Sequence, residues 1–171
     1  MEANEIFRRF TSVLNEEGPR ASLAYLVGLT DYRFIGLFQF HDGMASAPVY
    51  YDRENPQVLA LQEVPDTATY CWYVRERKVL FSTSDARADP RLADHPARAE
   101  VLAYCGVPVM DPEGILEGIL CLYDVEPRDP EQLDPELLVQ VASTLQQRRC
   151  IPPHPVKTAS ATAEPGQTAS L

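Results

Sequence analysis

Residues 106–123 read GVPVMDPEGILEGILCLY, and this stretch decides the fold. Gly106 to Met110 and Ile115 to Tyr123 are apolar runs of strand length, separated by Asp111-Pro112-Glu113-Gly114. Proline presets the backbone of a turn's second position and glycine suits its close, so the quartet is a tight turn and the runs form an antiparallel hairpin. Outward toward the C-terminus, Asp134-Pro135 supplies an N-cap and a first helical residue, and Leu137, Leu138, Val141, Ala142 and Leu145 recur at helical spacing. Outward toward the N-terminus lies a long connection, Ser84 to Tyr104, running through Pro90 and Pro96. Before it come a short strand, Val79 to Thr83, and a helix from about Thr67 to Lys78 with Asp66 as N-cap. Its last turn holds Arg75, Arg77 and Lys78, where cations suit the helix dipole.

Further upstream, Tyr32 to Phe40 places Phe34, Phe38 and Phe40 on one side and Ile35 and Leu37 on the other. A strand apolar on both faces belongs inside a covered sheet. His41-Asp42-Gly43 turns the chain, and Pro48 to Tyr51 returns as the hairpin partner. At the N-terminus Ile6, Phe7, Phe10, Val13 and Leu14 form an amphipathic helical stripe. Gly18-Pro19 breaks that helix, and a second short one carries Leu23, Leu26 and Val27 to Gly28.

The 171 residues suit one domain. With 45% hydrophobic and 23% charged residues the composition is that of a globular protein. No apolar run approaches the ~18–20 residues of a membrane helix, and the N-terminus lacks a signal-peptide core, so a cytoplasmic location is expected. The net charge is −10, and Asp111 to Glu136 holds nine acids against one base, Arg128. That predicts one strongly acidic end and argues against nucleic acid or an anionic membrane as a partner. Residues 1–150 are expected to form the domain. Ile151 to Leu171, with four prolines and no aromatic residue, is expected to be a disordered tail.

Two stretches carry a family resemblance. The first is Tyr70-Cys71-Trp72-Tyr73-Val74, followed by a short strand and Ser84-Asp85-Ala86-Arg87-Ala88-Asp89-Pro90-Arg91. The second is Tyr104-Cys105-Gly106-Val107-Pro108-Val109, then Gly118-Ile119-Leu120-Cys121-Leu122-Tyr123-Asp124, then Pro127-Arg128. In order and spacing they resemble a GAF domain over roughly Phe7 to Gln147. The resemblance implies an α/β (α+β) fold: an antiparallel sheet of five to six strands, terminal helices on one face, and a ligand pocket roofed by helix and loops on the other. It also implies a homodimer through the helices at Glu2 to Glu16 and Asp134 to Arg149. The Asn-Lys pair of the cyclic-nucleotide-binding branch is absent, as is the Cys-His anchor of the bilin-binding branch, for Cys71 precedes Trp72 and Cys105 precedes Gly106.

Residues that bear on chemistry fall into three sets. Cys71, Cys105 and Cys121 are either packing thiols or, as in a reductase branch of that family, thiols that reduce free methionine sulfoxide. Arg87, Arg91 and His95 stand in the long connection among Asp85, Asp89 and Asp94, either as two-pronged anion ligands or as surface ion pairs. Tyr70, Tyr73, Tyr104 and Tyr123, with Trp72, suit a mixed apolar and polar pocket. The expected ligand-binding set is therefore Tyr70, Cys71, Tyr73, Arg87, Arg91, His95, Tyr104, Cys121 and Tyr123. No metal site and no cofactor are expected. The function expected is small-molecule sensing, passed on by dimer contacts or a separate partner, with a thiol reductase as the alternative.

Overall fold

A computed structural model describes residues 1–153 of the chain. The tail expected from Ile151 lies outside the described residues beyond position 153. Helices α1 (Ala3–Glu17) and α2 (Pro19–Val27) precede strands β1 (Phe34–His41), β2 (Met44–Asp52) and β3 (Val64–Pro65). Helix α3 (Cys71–Arg77), β4 (Phe81–Thr83), β5 (Ala103–Met110), β6 (Leu116–Asp124) and α4 (Pro135–Gln147) follow. The six strands form one antiparallel sheet in the order β3-β2-β1-β6-β5-β4.

Local chemistry explains the main joints. Asp42 and Gly43 both take positive φ, 51° and 76°, which matches the two-residue turn that joins twisted strands best. The Asp111 carboxylate accepts from the backbone N–H of Glu113 and Ile115, each at 2.9 Å, and so closes the β5–β6 turn. Asp134 caps α4 by accepting from the Glu136 N–H at 2.8 Å, with Pro135 in the first turn.

Strand alternation gives the sheet two buried faces. Ile35 and Leu37 of β1, Cys105, Val107 and Val109 of β5, and Leu120 and Leu122 of β6 meet α1, α2 and α4. Phe38 of β1, Tyr104 of β5, and Ile119 and Cys121 of β6 face α3 and the long connection. Burying each large apolar side chain contributes roughly 1.5–3 kcal/mol, so both layers hold the sheet.

Three expectations change. First, Asp66 does not cap a long helix: a 3-10 turn covers Asp66–Ala68 and α3 begins only at Cys71, because Asp66 accepts instead from the Arg75 guanidinium at 2.8 Å. Second, Ile151 is buried in the helix-side core, so the domain runs past position 150. Third, the acidic stretch does not gather at one end. Its residues flank β6, a strand of nine residues and so roughly 30 Å long, with Asp111 and Glu113 at one tip and Glu126 to Glu136 beyond the other. Phe10, Leu14, Leu138, Val141 and Leu145, on the helices through which the homodimer is expected, are buried within the single chain.

Candidate functional site

Between the β1-β2-β5-β6 face and α3 lies a cavity of about 360 Å³. Its floor is aromatic: Phe34 and Phe38 from β1, Tyr50 from β2, Tyr104 from β5 and Tyr123 from β6. Phe34 and Tyr123 stack with centroids 4.7 Å apart and planes at 13°, while Phe38 meets Tyr123 edge-on at 6.0 Å. The walls and roof come from Leu61, Gln62 and Val64, from Ala68 to Cys71, and from Ala97, Glu100 and Val101 of the long connection.

Two glycines open the space the rings occupy. A Cβ on Gly106 would lie 2.7 Å from Cζ of Tyr104, and one on Gly36 would lie 2.9 Å from the Phe38 ring. Both glycines sit two residues from the ring they admit, on the same side of their strand.

Apart from Glu100, the polar tips are hydroxyls, thiols and the Gln62 amide. The Tyr104 hydroxyl donates to Cys71 Sγ at 3.1 Å, and Cys71 Sγ lies 3.8 Å from Cys121 Sγ. The Tyr70 hydroxyl donates to the Val101 carbonyl at 2.7 Å, tying the roof helix to the connection. Burial pushes the phenols of Tyr50 and Tyr70 up to about 12. It raises Tyr104, Tyr123 and the Cys121 thiol well above their ordinary values, so all stay protonated at neutral pH. The Gln62 side-chain oxygen is buried without a hydrogen-bond partner.

Of the residues expected at the site, Tyr70, Cys71, Tyr104, Cys121 and Tyr123 line the cavity. Tyr73, Arg87, Arg91 and His95 do not. Tyr73 stacks on Phe81 at 4.8 Å, and His95 packs 4.6 Å from Tyr70 on the outer side of the roof, its Nδ1 accepting from the Ala97 N–H. Arg87 and Arg91 each clasp the carboxylate two residues before them, Asp85 and Asp89, with both carboxylate oxygens engaged. The same carboxylates cap the short turns Ala86–Ala88 and Pro90–Leu92. Cys105 faces the helices on the opposite side of the sheet, and burial raises its thiol to about 11. Phe34, Phe38, Tyr50, Gln62 and Glu100 line the cavity without having been singled out; for the two phenylalanines the signal was their shared side of β1. Among the described residues, no cluster of His, Cys, Asp or Glu fits a metal ion.

The GAF domain model matches residues 17–148, and the elements it covers are those that build the sheet and the cavity. The chain belongs to the GAF domain family, whose members are ligand-binding signalling modules. The GAF domain of a phosphoenolpyruvate-protein phosphotransferase from Coxiella burnetii superposes with a TM-score of 0.64 at 19% identity, covering 86% of this chain and 92% of that one. A free methionine-R-sulfoxide reductase from Neisseria meningitidis, solved with its substrate, gives 0.66 at 18% identity, over 85% and 87% of the two chains. The chromophore-binding domain of a bacteriophytochrome from R. palustris gives 0.63 at 11%, over 87% and 59%. At these identities the likeness is one of fold. A cyclic di-GMP phosphodiesterase of Pseudomonas aeruginosa is 35% identical over 75 residues, 42% of this chain but only 13% of that protein. Among the described residues no helix is long and apolar enough to cross a membrane.

Proposed function

We propose that this GAF domain is a sensor that binds a small molecule non-covalently in the cavity beneath α3. The observation that supports this most is the cavity itself: about 360 Å³, at the small end of the ~300–1,000 Å³ range of ligand sites, with an aromatic floor and few polar tips. Occupancy would be felt by α3 and the long connection, because both form the roof. The signal would then pass to a second copy or to a separate partner. A homodimer through α1 and α4 remains part of the proposal, resting on half-buried Phe7 and on Val139, which is 56% exposed.

The test uses N-phenyl-1-naphthylamine, an uncharged dye that fluoresces in apolar surroundings. Saturable binding to the protein, lost in Ala68→Trp with the circular dichroism spectrum intact, is the expected result. Equal binding by the plugged variant would refute the site.

One observation favours a second reading, a thiol reductase. Cys71 and Cys121 lie with sulfurs 3.8 Å apart at the cavity, close enough to form a disulfide after small movements. Reduction of a sulfoxide would consume the two thiols and yield the sulfide, the disulfide and water. Against it stands the raised Cys121 thiol, since the thiolate is the nucleophile. Turnover of free methionine sulfoxide with a thiol reductant, abolished by Cys121→Ser, would establish the enzyme; no turnover leaves the sensor.

A further inference from the structure

We infer that the cavity selects flat heteroaromatic molecules that are uncharged or cationic and carry an N–H donor, and that it rejects anions, phosphate esters included. The inference rests on the cavity being the ligand site, and three observations carry it.

The first is shape and surface. Five aromatic rings of the floor and Tyr70 of the roof present flat faces and edges around one small space. A planar ring system is the solid that meets such walls with the most contact, by offset stacking and edge contacts.

The second is charge. Among the residues lining the cavity, none is Lys, Arg or His, and the one Asp or Glu is Glu100, an exposed residue at the mouth. Four guanidiniums of the surrounding elements are paired with carboxylates, Arg33 with Asp52, Arg75 with Asp66, Arg87 with Asp85 and Arg91 with Asp89, and Arg98, which donates to the Arg87 carbonyl, stands outside the cavity lining. An anion entering would lose its hydration, gain no counter-charge and meet a carboxylate on the way in. A ligand ammonium at the mouth would meet the opposite field.

The third is the orphan acceptor. The buried Gln62 side-chain oxygen lacks a partner, and its residue lines the cavity. An unpaired buried acceptor is costly, so a ligand that brings an N–H to it gains what an analogue without one cannot. A site with such a group discriminates by hydrogen-bond match more strongly than an apolar wall does.

The experiment is displacement of N-phenyl-1-naphthylamine at pH 7 by a matched set: indole, tryptamine, indole-3-acetate, 1-methylindole, adenine and adenosine 5′-monophosphate. Tryptamine is expected to compete at least ~10-fold better than indole-3-acetate, and adenine at least ~10-fold better than its nucleotide, because the anion loses hydration with no counter-charge in the lining, to which the solvent-screened Glu100 adds a smaller bias. Glu100→Gln should bring the affinities for tryptamine and indole-3-acetate closer together. Indole should outcompete 1-methylindole by ~5-fold or more, a gap that Gln62→Leu closes. If the dye binds but the anions compete as well as tryptamine, or none of the set competes, the ligand class is overturned and the cavity stands as a site. If the dye does not bind, or Ala68→Trp leaves its binding intact, the site reading itself falls.

Discussion

Replacing Asp124 with alanine should be among the most damaging single changes in the chain. Asp124 is 1% exposed at the end of β6, one residue after Tyr123 of the cavity floor. Its Oδ2 accepts from the Arg33 backbone N–H at 2.9 Å and from Arg128 Nε at 2.8 Å, and its Oδ1 accepts from the Glu126 N–H at 3.1 Å. The carboxylate thereby clasps the entry to β1, the end of β6 and the start of the loop to α4. Its removal leaves three donors facing a void. Loss of one member of a buried, hydrogen-bonded charge pair costs ~3–5 kcal/mol, and the partial exposure of Arg128 places Asp124→Ala at the lower end of that range. For a domain of this size ~1 kcal/mol moves the melting temperature by ~2–4 °C, so a fall of about 6–12 °C is expected by differential scanning calorimetry. Arg128→Ala, which leaves both backbone donors satisfied, should cost less than half as much. A drop below ~2 °C for Asp124→Ala would refute the clamp.

The remaining predictions are smaller. Gly106→Ala should cost ~1–3 kcal/mol by overpacking against the Tyr104 ring, and should weaken dye binding because that ring forms the floor; unchanged melting and affinity would show that the ring can yield freely. Burial holds His95 below its ordinary value, so the unfolded chain takes up a proton first as pH falls. Stability present at pH 7.5 should therefore be lost progressively below ~6.5, and His95→Gln should flatten that slope in urea midpoints measured at pH 7.5 and 5.5. In Ellman's assay Cys71, Cys105 and Cys121 should react slowly in the native protein and rapidly in denaturant, since all three are buried; fast native reaction of Cys71 and Cys121 would favour the reductase. Light scattering at high micromolar concentration should give the mass of two chains, and a single-chain mass would end the homodimer.

Much of this was legible in the sequence where two local signals agreed. The β5–β6 hairpin and α4 carried both apolar periodicity and turn or cap residues, and β1 announced its two buried faces by placing phenylalanines on one side and Ile35 and Leu37 on the other. The strand β3, two residues long and ending in a proline, has no periodicity to read. Asp66 looked like a cap because caps are judged locally, whereas its partner, Arg75, stands nine residues away. Arg87 and Arg91 admitted two readings, anion ligands or ion pairs, and the carboxylates two residues before each one take them at close range. Cys105 could have been separated from Tyr104 without a structure: neighbours in a strand face opposite ways, so the two cannot share one cavity.

The central claim is that a small molecule occupies the cavity reversibly. Native mass spectrometry of the protein purified from its own host, beside the same sample in denaturing solvent, tests that most directly. The account predicts a native mass above that of the polypeptide, a return to the bare chain mass on denaturation, and no excess mass in Ala68→Trp. An excess that survives denaturation, or one that the plugged variant retains, would contradict it.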